Sequence, residues 1–134
     1  MEQEIQLPYG AGRLKAHLPE VCLTGVYLPR PVHSCPDPVV AIERALTNPL
    51  NTPHLSEIVR PGEKVVILID DHTRVTPTAL ILPPLLKALR QSGVSDEDIT
   101  ILITHGTHRL SSDEEVRRKV GDEAYGRLRI EQHR

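Results

Sequence analysis

The sequence contains no Phe and no Trp, and only three Tyr among its 134 residues. Its core must therefore be aliphatic, and aromatic platforms for nucleic-acid bases or methyl-ammonium cages are disfavoured. Charge of one sign is also missing: the net charge of -2 makes no electrostatic case for nucleic acid or an anionic membrane. No apolar run approaches the roughly 18 residues of a membrane span. The opening MEQEIQLPYG lacks the basic and apolar regions of a secretory signal, so a cytoplasmic protein is expected. Cysteine is scarce, with Cys22 and Cys35 in a Pro-containing region and no CxxC spacing, which reads as ordinary reduced thiols. P-loop, GxSxG, HExxH and kinase motifs are absent. The GAG at Gly10 to Gly12 lacks the later glycine and the strand-to-helix context of a dinucleotide fingerprint.

The patterns that are present point to one α/β domain over residues 1–134. Residues 1–27 hold EIQLPYGAGRLKAHLPE, where apolar and polar residues alternate on both sides of two glycines, as in a β-hairpin. Residues 28–63 form a Pro-rich connector, LPRPVHSCPDP, and a helix that Asp37 caps and Pro38 opens, ending near Asn48 and Pro49. From 64 to 134 the pattern becomes strand, helix, strand, helix, strand. KVVILI and DITILIT are continuous apolar runs, and RLRIEQ is a shorter third. Between them, TALILPPLLKALRQSG is helical, with a Gly stop. Pro83 and Pro84 predict one turn after Pro77 and then a restart with the prolines in its first turn. Ser111 and Glu114 predict a capping box for the next helix, closed by Gly121. The fold class is α/β, a Rossmann-like parallel sheet with flanking helices and an N-terminal β-hairpin.

In such a sheet, the loops leaving the carboxyl ends of the strands open on one edge, where ligands bind. That edge carries DDHTR at 70–74, HGTHR at 105–109 and the terminal QHR. Asp70 and Asp71 could cap the following helix and satisfy loop amides; Arg74 could be a surface ion pair. Thr73 and Thr76 suit caps as well as ligands. Taken jointly, a carboxylate, a hydroxyl and a guanidinium at one strand end, with His105 and His108 at the next, place an anion anchor beside an acid/base group. That set suits a small carboxylate with a proton to lose. A second class of function stays open: a non-catalytic metal- or phosphate-binding α/β module in which His72, His105 and His108 coordinate a divalent ion with Asp71. A pure assembly domain is disfavoured by the polar loops. His17, His33 and His54 read as structural or exposed, and His133 as solvated.

LPYGAGRLKAHLPE, AIERALTNPL, VRPGEKVVILIDDHTRVTP, LILPPLLKALRQSGV and ILITHGTHR together resemble the N-terminal domain of the nickel-pincer lactate racemase family, whose members racemise or epimerise 2-hydroxy acids. The resemblance implies that Asp71, His72, Thr73 and Arg74 bind the cofactor, a Ni(II)-pyridinium-3,5-bisthiocarboxylic acid mononucleotide. It further implies that Arg74 lies near the substrate and that His108 is one of two catalytic acid/base histidines. Asp70, Val75, Leu110 and His105 depart from the family pattern. The resemblance implies that the second catalytic histidine, the tethering lysine and the nickel-ligand histidine of the family lie beyond Arg134. The expectation is the N-terminal part of a two-domain isomerase, inactive alone, acting on a small 2-hydroxy acid by hydride transfer to that nickel-pincer nucleotide.

Overall fold

The computed structural model describes residues 2–133 and divides the chain into two compact units, residues 1–34 and 35–134. In the first, β1 (Glu2–Tyr9) and β2 (Gly12–Pro19) pair antiparallel, from Glu2 opposite Pro19 to Tyr9 opposite Gly12. Gly10 takes φ +56 at the two-residue turn, a conformation that favours glycine. The hairpin expected from alternation is therefore present. Cys22 and Cys35 are free and exposed.

The second unit begins with α1 (Pro38–Thr47). Asp37 caps it by accepting from the Val39 and Val40 amides, each at 3.0 Å, and Pro38 fills the first helical position. The helix stops at Asn48, immediately before Pro49, as expected from the sequence. A short helix, α2 (Leu55–Ile58), precedes the sheet.

Three parallel strands then pair in the order β3 (Val65–Asp70), β4 (Ile99–Thr104), β5 (Arg129–Gln132). They are joined by α3 (Thr78–Gln91) on one side and by α4 (Asp113–Val120) and α5 (Asp122–Tyr125) on the other connection. Alternate residues of β4, Ile99, Ile101 and Ile103, are buried, and they pack with Leu82, Leu86 and Leu89 of α3 and Val116 and Val120 of α4. Each such side chain contributes about 1.5–3 kcal/mol through burial, so an aliphatic core without Phe or Trp suffices. On β3 the intervening Val66 and Leu68 are exposed.

Two local expectations are corrected. First, α3 does not restart at the prolines but runs unbroken through Pro83 and Pro84. Each proline removes one helical hydrogen bond, at about 3 kcal/mol in an isolated interior. Against that, Leu82, Leu86 and Leu89 share one buried face only in a continuous helix, because i, i+4 and i+7 fall together at 3.6 residues per turn. Gly93 at φ +86 ends the helix, with the Val94 amide donating to the Leu89 carbonyl at 3.1 Å.

Second, the capping box lies one residue later than expected. Ser112, not Ser111, is the N-cap, paired reciprocally with Glu115 rather than Glu114. Two serines followed by two glutamates satisfy the same pattern in either register. The later register turns Val116 and Val120 inward and frees Ser111 for another contact.

Candidate functional site

The carboxyl ends of β3 and β4 are adjacent in register, with Asp70 opposite Thr104. The loops that follow them, 71–77 and 105–112, therefore begin side by side. An open cleft of about 320 Å³ between them is lined by Asp70, Asp71, Arg74, Thr104, His105, Gly106, Thr107 and His108. Arg74 and His108, the expected anion anchor and acid/base group, thus share one cleft on one edge of the sheet.

In the second loop, Gly106 adopts φ +58 and the His108 amide donates to the His105 carbonyl at 3.0 Å, closing a tight turn. The turn sends its two histidines to different environments. His108 is partly exposed, and its Nδ1 lies 2.5 Å from Asp71 Oδ2. His105 is buried, with 3% of its surface exposed, and neither ring nitrogen has a hydrogen-bond partner among the described residues. Its Nδ1 lies 3.9 Å from the same Asp71 oxygen. His105 is therefore buried although it lies in a loop, because the Gly106 turn folds it inward. His17, His33, His54 and His133 are exposed.

Asp71 is buried, and both its oxygens are engaged. Oδ1 accepts from the Thr73 hydroxyl at 2.6 Å and from the Thr73 amide at 2.9 Å; Oδ2 receives His108. The Thr73 hydroxyl, followed by His108, holds the Asp71 carboxyl far below the ordinary carboxylate range against the opposing effect of burial. An ionised carboxylate only accepts, so the proton of the pair sits on His108 Nδ1 and the Nε2 lone pair is left to act as a base. This is the orienter-and-base geometry of general acid/base sites.

The remaining loop residues separate into struts and a free group. His72 Nδ1 shares a 2.8 Å hydrogen bond with Ser111 Oγ, and its Nε2 lies 3.8 Å from Glu115 Oε1. Ser111 is fixed in turn by Gln132 of β5, which accepts from its amide at 2.8 Å and donates to its carbonyl at 3.2 Å. Neither link was legible in the sequence, since Gln132 and Ser111 are separated by two helices. Thr73 faces inward to Asp71, and Thr76 donates to Asp70. The Arg74 guanidinium, by contrast, has no ion pair among the described residues. It borders both this cleft and a second one of about 240 Å³ beside the start of α3, lined also by Thr76, Arg118 and Lys119.

Glu115 anchors the second loop to α4. It takes a two-pronged contact from Arg109, at 2.8 and 2.7 Å, and accepts from the Ser112 amide at 2.8 Å. The Arg109 contact, then the Ser112 amide, lowers its pKa to about 2. A depressed carboxylate contributes stability that is present above its unfolded value of about 4.3 and lost as pH falls through the folded value. Glu115→Gln is accordingly expected to lower the melting temperature at pH 6, with the difference from wild type shrinking as pH falls from about 5 towards 2. Thermal melts across that range measure it; a difference independent of pH would refute the assignment.

Asp71, His72 and His105 also offer potential metal-ligand atoms that all lie within 4.8 Å of one another. His108 is not part of that cluster, in contrast to the set expected from the sequence.

Comparison with known proteins gives the family of the chain. Residues 9–134 match the family model described as the lactate racemase N-terminal domain. The chain belongs to that family. It is 32% identical to the lactate racemase of Thermoanaerobacterium thermosaccharolyticum over 123 residues, covering 89% of this chain and 28% of that protein. It is 32% identical to the lactate racemase of Lactiplantibacillus plantarum over 131 residues, covering 96% of this chain and 31% of that protein. The fold resembles the solved lactate racemase apoprotein of T. thermosaccharolyticum, with a TM-score of 0.71 at 29% identity over 98% of this chain and 30% of that one. This member of the family thus spans under a third of the length of these relatives. Among the described residues, no helix is long and apolar enough to cross a membrane.

Proposed function

We propose that this lactate racemase N-terminal domain supplies one wall of a site that racemises or epimerises a small 2-hydroxy acid, with a C-terminal domain supplying the other. The observation that carries the reading is the His108–Asp71 pair facing the same cleft as Arg74, which has no ion pair among the described residues. His108 Nε2 takes the proton from the substrate hydroxyl, and Asp71 and Thr73 hold the imidazole in the tautomer that can do so. Arg74 presents a planar fork suited to a carboxylate. Inverting a poorly acidic carbon is easier by removing its hydrogen with both electrons, and the nickel-pincer nucleotide is the group that would supply the hydride acceptor.

The residues present fit an anionic nucleotide at one point in particular. Arg74 has no ion pair among the described residues and stands beside the start of α3, where Pro77 provides no side-chain cap. Of the four residues implied to bind the cofactor, Arg74 would hold an anionic group directly. Asp71, His72 and Thr73 would contribute by holding the loop in shape, since the Asp71 carboxylate, the Thr73 hydroxyl and His72 Nδ1 already have protein partners. Within this reading residues 1–134 act as one N-terminal domain of a longer cytoplasmic enzyme, with no role for nucleic acid or membrane.

Arg74→Lys in a complete enzyme tests the reading. A point charge cannot reproduce a two-pronged contact, and losing one charge-assisted hydrogen bond of about 1.5–3 kcal/mol raises KM for the hydroxy acid roughly tenfold or more. Unchanged kinetics would show that Arg74 is only a surface charge.

One observation favours the metal-module reading: the unpartnered nitrogens of buried His105 within the Asp71, His72 and His105 cluster. Against it, both Asp71 oxygens and His72 Nδ1 already have partners. Titration with zinc separates the two. Micromolar binding by this chain that His105→Ala abolishes and His108→Ala does not would favour the module.

A further inference from the structure

Lys119 occupies the last turn of α4, where a lysine ordinarily extends into water beside the helix carbonyls. This one is buried, with 7% of its side chain exposed. Its ammonium reaches away from its own helix into the loop after β3. There it pairs with the Asp70 carboxylate and donates to the backbone carbonyl of Arg74 at 3.1 Å and to that of Thr76 at 3.3 Å. An ammonium has three protons to give, and these are three acceptors. Burying such a charge is unfavourable unless its donors are satisfied, so the arrangement ties the loop conformation to this one group. Burial pushes the Asp70 carboxyl up, but Lys119 and then Thr76 outweigh it and keep the group below its usual range.

We propose that Lys119 is a positioning residue: it fixes the backbone from the end of β3 to the start of α3 and so sets the direction of the Arg74 guanidinium. Resting on the reading above that Arg74 meets an anion, this hold explains how the Arg74 guanidinium is kept in place with no ion pair of its own among the described residues. The opposite end of α4 holds the other loop, through Ser112 and Glu115. At 1.5 Å per residue the eight residues of α4 form a rod of about 12 Å that registers the arginine loop against the histidine loop.

Amide hydrogen exchange on this chain tests the inference without substrate or cofactor. In Lys119→Met, the Arg74 and Thr78 amides, which now donate to Asp71 and Thr76 carbonyls at 3.2 and 2.8 Å, should exchange roughly tenfold faster or more, while those of Ile101 and Ile103 keep wild-type rates. Wild-type exchange in the loop would overturn the proposal, as would equal acceleration in loop and strand, which marks a general loss of stability. The double variant Asp70→Asn/Lys119→Met removes both charges and keeps the test open if an unpaired Asp70 unfolds the single variant. Fast loop exchange in the double variant would support a hold on the Arg74 and Thr76 carbonyls. Wild-type exchange there would overturn it, showing that Lys119 only neutralises Asp70. Arg74→Lys kinetics judge the functional reading separately, so an ordered loop with an inert Arg74 and a disordered loop with an active one are distinguishable results.

Discussion

His108→Ala in a complete, cofactor-loaded enzyme should lower turnover by on the order of 10²-fold or more, since positioned proton transfer contributes about 10²–10⁴. The ring has its Nδ1 committed to Asp71 at 2.5 Å, which leaves Nε2 as the nitrogen able to exchange a proton with substrate. The loss should be unequal for the two enantiomers, because a histidine on one face takes the hydroxyl proton from one and returns it to the other. The side chain is 42% exposed, so little packing is lost, but buried Asp71 Oδ2 loses its partner, and a thermal melt of the variant separates loss of rate from loss of fold. The comparison residue matters. His105 stands three positions away on the same turn, but it is buried against the loop, and its truncation would leave a cavity beneath Asp71. His133, exposed at the end of β5, is the better control, and its alanine variant should retain full rates. Near-wild-type racemisation in both directions by the His108 variant would refute its assignment as the base.

The architecture was largely legible in the residues, because periodicity and punctuation act locally. VVILI and ITILIT can bury as strands without reference to the rest of the chain, and Asp37 followed by Pro38 caps and opens a helix by its own chemistry. The reading lost precision where two local rules fitted equally or where packing overrode them. Ser111 and Ser112 each stand three before a glutamate, and only the burial of Val116 and Val120 decides between them. Pro83 and Pro84 break an isolated helix, yet here the buried leucines on either side hold it together. The site was legible as a set of residues on one edge but not as a division of labour. That His108 faces the cleft while His105 is buried follows from the Gly106 turn, and that Asp71 and Thr73 face each other follows from a two-residue backbone geometry. Lys119 carried one usable signal. In DEEVRRKV it lies three residues after Val116 and next to Val120, on the face that the helix turns inward.

The Asp71 contacts also set the outcome of a change that alters almost nothing in shape. In Asp71→Asn, the retained carbonyl oxygen is expected to stay with Thr73, whose hydroxyl and amide both donate to Oδ1 at 2.6 and 2.9 Å. The new NH₂ must then occupy the Oδ2 position and point at His108 Nδ1. Two donors cannot share that contact, so the imidazole moves its proton to Nε2, the nitrogen that faces the cleft. A base with its lone pair turned inward cannot accept the hydroxyl proton. Turnover should fall on the order of 10²–10⁴-fold, with KM changed far less because Arg74 is untouched. The nitrogen spectrum of the imidazole gives a signature that loss of stability would not produce: Nδ1 protonated in the wild type and Nε2 protonated in the variant. If the variant kept the wild-type tautomer yet lost activity, Asp71 would act through its charge and not through orientation. If it kept both tautomer and rate, the Asp71 carboxylate would not be needed to orient His108, and its contact with the ring would be structural only.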